Sequence, residues 1–396
     1  MVSSMAKSPV LSAEEASAAE SLLGSAWGTR VAIRAAEKIW GRSHIVRLRL
    51  ADDRSVVLKR QREENFGERE RTLGAELAAL GFLNAMETAV APRLFGADAE
   101  AGILVMEDLG PGRSLAHSLL ADDRSRAEAD LVAYARALGT MHSWSLGRAG
   151  EFAGPAEPQW MGAIIDGKES FLEVTGRLGL PADGAGAEID SLAGLLRGDG
   201  RLTGLVHSDP CPDNTHIADG SCRIFDFETS GWGPVALDAA YLLAPFPSCW
   251  CFASLPAEVA GPALRAYRDQ VTRAGIRLGP DWDAALTAAL AGWVVARGAA
   301  IGKALDVDTD WGTTTARPRL LTWLHSFTGA AERSGVLPRL SLLAGALHER
   351  LSARWSDTVF PDYPAFARQG APLAQIPPEW SAAEAALDAG DRRPAG

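Results

Sequence analysis

His207-Ser-Asp209-Pro-Cys-Pro-Asp-Asn214, followed twelve residues after the Asn by Asp226-Phe-Glu228, decides the reading of this chain. It puts a carboxylate suited to act as a base, a neutral amide oxygen and a second carboxylate into one short window. Asn and Asp suit Mg²⁺, a hard cation that takes oxygen ligands, and such an ion neutralises charge on a phosphoryl group in transfer. Between the two halves lies Thr215-His-Ile-Ala-Asp219-Gly220-Ser-Cys-Arg-Ile-Phe225, where Asp-Gly is a strong two-residue hairpin signal. Folding back about that turn sets Asn214 opposite Phe225 and beside Asp226. Two candidate metal ligands distant in sequence then meet at the open end of one hairpin.

The rest of the chain is long enough to supply the other half of a cleft. At 396 residues it has room for two lobes and a sizeable core, and 47% hydrophobic with 22% charged residues is an ordinary globular composition. A formal charge of −11 argues against a nucleic-acid partner, and it tolerates a cationic substrate without selecting one. Only five of the 39 basic residues are lysine, so a lysine at a useful position stands out. No apolar run approaches the roughly 20 residues of a membrane span, and the opening residues lack a signal-peptide core, so the expectation is a cytoplasmic protein without membrane association. Cys211, Cys222, Cys249 and Cys251 lack the paired spacing of a zinc site, and in a reducing compartment they are expected as free buried thiols without disulfides.

Residues 1–25 read as an Ala/Ser/Glu-rich leader, disordered or holding one helix. Ile45–Leu50 alternates with period two, Ala51–Ser55 supplies a turn and Val56–Lys59 resumes an apolar strand, so a β-hairpin is expected. A helix follows, with Leu73, Glu76, Leu80 and Leu83 on one stripe, and Ile103–Met106 forms a further strand. These elements predict a sheet-rich N-terminal lobe over 26–110. Beyond it a mainly helical lobe is expected over 111–380, with Leu131, Tyr134, Leu138 and Met141 on one amphipathic face, a helix around Glu169–Arg177 and further helices near 257–274, 283–304, 316–333 and 338–354. Residues 381–396 read as a tail.

Lys59 shares a strand face with Val57, not with Val56 and Leu58. Taken alone it reads as a solvated edge-strand lysine. Glu76 changes that balance, because a carboxylate on the inner stripe of the next helix is costly unless paired, and a Lys59–Glu76 ion pair satisfies both groups while aiming the ammonium at nucleotide phosphates. Glu68 and Glu70 are rivals for the Glu76 role in more polar turns. Asp209 is the candidate base; Asp-Pro also favours plain turns, but Asn214 and Asp226 at these spacings favour chemistry. His207 reads as packing or hydrogen bonding beneath the loop, and His142 as structural. Glu228 stays open between the metal region and solvent. Gly162–Glu169 nearly spells a phosphate-binding loop, but Glu replaces the hydroxyl that should meet Mg²⁺, so no phosphate cradle is expected there. The turn Trp40-Gly41-Arg-Ser-His44 is a weak candidate to cover a nucleotide.

In this order, strand Lys59, helix Glu76, Val105-Met-Glu107-Asp-Leu109, His207-x-Asp209-x4-Asn214 and Asp226-Phe-Glu228 resemble the aminoglycoside phosphotransferase family, relatives of choline kinase and more distantly of protein kinases. Gly233-Pro234 and Asp238-Ala-Ala extend the likeness over roughly residues 30–245. The resemblance implies an α+β, bilobal protein-kinase-like fold with ATP or GTP between the lobes. Backbone groups near Glu107 and Leu109 would hold the base, Lys59 would steady the α/β-phosphates, and Asn214 and Asp226 would bind Mg²⁺. Asp209 would orient or deprotonate the acceptor hydroxyl, and Asp238 would brace the catalytic loop. Ser208 stands where the family usually has Gly. Acceptor choice would be set after about residue 245, and the motifs name no acceptor. The first reading is an O-phosphotransferase for a small hydroxylated molecule. A Ser/Thr kinase for a precursor peptide and a non-catalytic nucleotide-binding protein are the alternatives, and the latter has no need of Lys59, Asp209, Asn214 and Asp226 together.

Overall fold

Ser12 starts the first helix by a reciprocal cap: Glu15 N–H donates to its hydroxyl at 3.1 Å and its own N–H donates to the Glu15 carboxylate at 2.8 Å. In the computed structural model, which describes residues 10–39, 44–61, 69–86 and 89–375, this helix, α1, runs Ala13–Trp27. Strands β1 (Ile33–Lys38), β2 (Ile45–Leu50) and β3 (Ser55–Arg60) follow, then α2 (Arg69–Ala85), β4 (Leu94–Asp98) and β5 (Ile103–Glu107). The strands form one antiparallel sheet in the order β1-β2-β3-β5-β4. The predicted hairpin is β2–β3, in a register that pairs Ile45 with Lys59 and Arg49 with Ser55.

Alternation along β3 gives the sheet two different faces. Val56 and Leu58 join Val46, Leu48, Val105 and, from α1, Ala19 and Leu23 in one apolar layer. Val57 lies on the other face with Leu104, Met106 and Leu73 of α2. Lys59, opposite Leu104 in the ladder, follows Val57 onto that second face and is buried there. On α2 the predicted stripe is the inner one, with Leu73, Glu76, Leu80 and Leu83 all buried.

The remainder is a mainly helical lobe. Helices α3 (Leu115–Leu120), α4 (Arg124–Ser145), α5 (Gln159–Arg177) and α6 (Ala185–Arg197) precede β6 (Thr203–Val206), the hairpin β7 (Thr215–Ala218) and β8 (Ser221–Ile224), and β9 (Gly231–Pro234). The chain continues through α7 (Ala236–Ala239), α8 (Ala257–Arg273), α9 (Pro280–Val295) and α10 (Gly298–Ala304). It then forms the short pair β10 (Asp310–Trp311) and β11 (Thr314–Thr315), α11 (Ala316–Ser334) and α12 (Pro338–Arg354). β6 pairs antiparallel with β9, so the segment 207–230 leaves one strand of this pair and returns by the other.

The single helix expected over 283–304 is two, α9 and α10, bent by 46°. Two glycines explain the bend. A Cβ on Gly298 would lie 2.3 Å from Phe171 N, and one on Gly167 would lie 2.6 Å from Val295 O, so the backbone of α5 presses directly on the junction. The near phosphate-binding motif at 162–169 therefore lies inside α5, where Gly167 serves helix packing. Among the described residues no single helix is long and apolar enough to cross a membrane; α9 and α10 reach that length only as the bent pair, and α9 is buried among its neighbours.

Candidate active site

Lys59 and Glu76 are brought together by β3 and α2. Lys59 Nζ donates to Glu76 Oε2 at 2.6 Å and also to Asp226 Oδ1, and it lies 3.8 Å from Glu228 Oε2. One ammonium thus ties the N-terminal lobe to the segment after the β7–β8 hairpin. Burial alone would pull the Lys59 pKa down, but Asp226, Glu76 and Glu228 outweigh it and hold the group well above the ordinary lysine value. Burial pushes Glu76 up to about 7 against the pull of Lys59. Its Oε1 atom is buried without a hydrogen-bond partner among the described residues. Glu228, left open by the sequence, is part of this cluster. Glu68 lies outside the described residues, as does the side chain of Glu70.

The loop that starts at His207 is hung from Asp238, which is fully buried in α7. His207 N–H donates to Asp238 Oδ2 at 2.7 Å and Ser208 N–H to Oδ1 at 2.9 Å, while His142 Nε2 lies 3.1 Å from Oδ2 and His142 Nδ1 lies 2.7 Å from the Tyr267 hydroxyl. His142 is structural, as expected. His207 Nε2–H donates to Phe225 O at 2.9 Å, which leaves Nδ1 to accept from Asp209 N–H at 3.2 Å. This pairing describes a neutral imidazole, in keeping with a pKa lowered chiefly by burial. Ser208 has φ 73°, a left-handed conformation that a side chain resists, and among the described residues its buried hydroxyl has no partner. That backbone turn is the physical reason for the glycine that Ser208 replaces.

Past the turn, Asp209 and Asn214 face each other. Asn214 Nδ2 donates to Asp209 O at 3.0 Å and to Asp209 Oδ2 at 3.3 Å. Burial, followed by repulsion from Asp213 and Asp226, pushes the Asp209 carboxyl up to about 7. The hairpin closes as its sequence dictates: Asp219 and Gly220 have φ 49° and 73°, and Phe225 N–H donates to Asn214 O at 3.0 Å. Asp226 is therefore next to the residue paired with Asn214. Its own φ is 72°, which turns its carboxylate toward Lys59.

At the lobe junction, Glu107 N–H donates to Arg93 O at 2.8 Å, and the Glu107 carboxylate accepts from Arg93 N–H at 3.0 Å and Arg223 Nη1 at 2.6 Å. Asp108 takes a two-pronged bond from Arg47 at 2.6 and 3.0 Å and a third from Ser55 at 2.7 Å. Among the described residues nothing bonds the Leu109 N–H or C=O. Of the two hinge residues singled out from sequence, Glu107 has its N–H and carboxylate engaged in holding the junction, and Leu109 is the one with backbone groups to offer. Of the weak Trp40–His44 turn, residues 40–43 lie outside the described residues.

The cysteines require a correction. Cys211 and Cys249 are joined in a disulfide, whereas Cys222 and Cys251 are free and buried. Linear spacing hid the pair, because 38 residues separate the two cysteines and only the return of the chain after α7 lays 246–252 along the catalytic loop. Cys211 Sγ lies 3.0 Å from Asp209 Oδ1. The segment is anchored a second time by Trp250 Nε1–H, which donates to Asp213 Oδ2 at 2.8 Å. It is anchored from behind by the buried Arg319, whose guanidinium donates to the carbonyls of Pro247, Cys249, Trp250 and Trp311. Sequence inspection missed Arg319 and Trp250, and no motif marks them. With a loop of this length closed, Cys249→Ser is expected to lower unfolding stability by about 2–4 kcal/mol. Denaturant titration of both proteins checks this, and a reducing agent should move wild type to the variant's midpoint and leave the variant unmoved.

The profile of the phosphotransferase enzyme family matches residues 37–286. Among solved structures the fold is similar to the aminoglycoside phosphotransferase from Alicyclobacillus acidocaldarius, at 14% identity and a TM-score of 0.50, over 89% of this chain and 100% of that one. It is also similar to choline kinase LicA from Streptococcus pneumoniae, at 16% identity and a TM-score of 0.44, over 79% of this chain and 98% of the other. No curated protein sequence matches the chain.

Proposed function

Because this chain belongs to the phosphotransferase enzyme family, we propose that it moves the γ-phosphate of ATP, or of GTP, to a hydroxyl group of a small molecule. The observation that carries this reading is the convergence of Lys59, Asp209, Asn214 and Asp226, from three separate stretches of sequence, on one junction between sheet and hairpin.

The residues suit a divalent metal. Glu76, Asp226 and Glu228 offer carboxylate oxygens within 4.8 Å of one another, Glu76 Oε1 is an orphaned buried oxygen, and Asn214 directs its Nδ2 at Asp209, leaving its amide oxygen for another partner. An all-oxygen donor set of this kind fits Mg²⁺. Asn214 and Asp226 would hold the ion, which when bound neutralises charge on the phosphates. Lys59, steadied by Glu76, would bind the α/β-phosphates, and the free backbone groups of Leu109 would meet the nucleotide base beside Glu107. The acceptor oxygen forms a bond to the γ-phosphorus as the bond from that phosphorus to the bridging oxygen breaks. Asp209 receives the hydroxyl proton, and the nucleoside diphosphate leaves with the bridging oxygen. Catalysis here is mostly positioning and electrostatics.

Calorimetry tests the metal assignment. Asp226→Ala is expected to weaken Mg²⁺-nucleotide binding by at least about tenfold, in the range found when groups that support a metal are removed. Unchanged binding would remove Asp226 from the metal site.

A further inference from the structure

Arg297 occupies the two-residue turn between α9 and α10, where the glycine contacts with α5 fix the backbone. Its guanidinium carbon lies 4.6 Å from the centre of the Trp160 ring and 5.4 Å from that of Trp293, two rings themselves 5.0 Å apart. This aromatic group is continuous with the catalytic loop on two sides. Trp293 packs on Tyr241 at 5.4 Å, and the Tyr241 hydroxyl lies 2.6 Å from Ser248 Oγ in the segment cross-linked to Cys211. Trp160 follows Gln159, whose N–H donates to Thr229 O at 3.2 Å, and Thr229 Oγ1 donates to His207 O at 3.1 Å.

Among the described residues, no hydrogen bond or ion pair reaches the Arg297 guanidinium. Arg319 is the contrast: it is fully buried and its two terminal nitrogens donate to four carbonyls, whereas Arg297 is half-buried and its guanidinium rests on the two tryptophan rings. Burial lowers the Arg297 pKa, opposed first by Tyr241 and then by the negative charge of Asp209. Stacking on tryptophan faces offsets part of the desolvation of a cation, but the planar fork of N–H donors is left open. That fork matches a carboxylate or a phosphate group.

We propose that Arg297 binds an anionic group of the acceptor, so that the molecule phosphorylated beside Asp209 carries a carboxylate or phosphate as well as its hydroxyl. This rests on the phosphotransfer reading above. Neither the overall negative charge of the chain nor its family points to an acidic acceptor; the unpaired guanidinium does.

The experiment uses the full chain with ATP and Mg²⁺ and measures nucleoside diphosphate release with matched acceptors: hydroxy acids, sugar phosphates, their neutral counterparts, and cationic alcohols and amino sugars. Acidic acceptors should exceed neutral counterparts in kcat/KM by at least about tenfold, the contribution of one charged pair. Arg297→Gln should lose that advantage mainly through acceptor KM, with nucleotide KM unchanged, and Arg297→Lys should recover part of it. Hydroxy acids against sugar phosphates distinguish the two anions. Preference for cationic acceptors, or an equal loss on neutral and acidic ones in Arg297→Gln, overturns the proposal. Thermal stabilisation by inorganic phosphate in saturating Mg²⁺-ADP supplies a readout without turnover. Stabilisation of wild type but not of Arg297→Gln supports the proposal, and no difference between them overturns it. If no acceptor gives diphosphate release, the transfer reading fails, and the phosphate result decides the role of Arg297 by itself.

Discussion

Asp209→Asn is expected to lower kcat for acceptor phosphorylation by about 10²–10⁴-fold, the range for loss of a positioned base, while nucleotide affinity stays nearly unchanged. Asparagine keeps the size of the side chain and its contact with Asn214 Nδ2 through the amide oxygen, so the loop held by Asp238 should survive the change. What it loses is the ability to take a proton. In the metal-free protein burial and the neighbouring Asp213 and Asp226 push the Asp209 carboxyl up to about 7. The base works when deprotonated, so kcat/KM should rise with pH across a limb at or below that value. A metal ion at Asp226 cancels part of the repulsion and moves the limb to lower pH. Rate measurements from pH 5 to 9 on both proteins check this, and a variant with wild-type turnover removes Asp209 from its role.

Lys59→Ala should damage stability as well as turnover. It leaves Glu76, 2% exposed, without its cation, and stripping one partner from a buried ion pair costs about 3–5 kcal/mol. The pH dependence has a definite sign. Glu76 already titrates in the folded protein at about 7 against a reference of 4.5, with Lys59 holding it down, so the variant's value is higher still. Between the unfolded and folded pKa the native state binds more protons than the unfolded one, so unfolding free energy falls as pH rises through that window. The variant should be closest to wild type in stability below about pH 4.5 and furthest from it above 7. Glu76→Gln placed on Lys59→Ala should restore part of the loss and flatten the pH dependence. Thermal melts at a series of pH values read both effects, and a variant as stable as wild type at every pH would contradict the pairing.

Much of the site was legible because its residues obey local rules. Asp219-Gly220 requires two left-handed residues and so sets the hairpin that brings Asn214 to Phe225 and Asp226. Glu76 on an otherwise apolar stripe demanded a buried cation, and period-two alternation put Lys59 on the face that supplies it. β1 and β4 escaped notice because edge strands such as Ile-Arg-Ala-Ala-Glu-Lys and Leu-Phe-Gly-Ala-Asp pair on one side only and carry little β-propensity. The 283–304 run reads as one helix because its break comes from glycine contacts with a helix more than a hundred residues earlier. The Cys211–Cys249 bond, Arg319 and Arg297 were illegible for the same reason: each depends on where the chain returns after α7. Local rules thus carried the cluster of Lys59, Glu76, Asn214 and Asp226, and tertiary contacts set the surroundings of Cys249, Arg297 and Arg319.

If one cleft transfers phosphate from a nucleotide to a hydroxyl with Asp209 as its base, the acceptor must emerge carrying the γ-phosphate. The most direct measurement incubates the purified chain with Mg²⁺, ATP labelled in the γ-phosphate and a panel of acidic, neutral and cationic hydroxyl compounds, and identifies the labelled product by mass spectrometry. The expected product is a phosphate monoester on an acceptor hydroxyl, formed in step with ADP and absent with Asp209→Asn. Label released only as inorganic phosphate, or an ester formed equally well by Asp209→Asn, would contradict it.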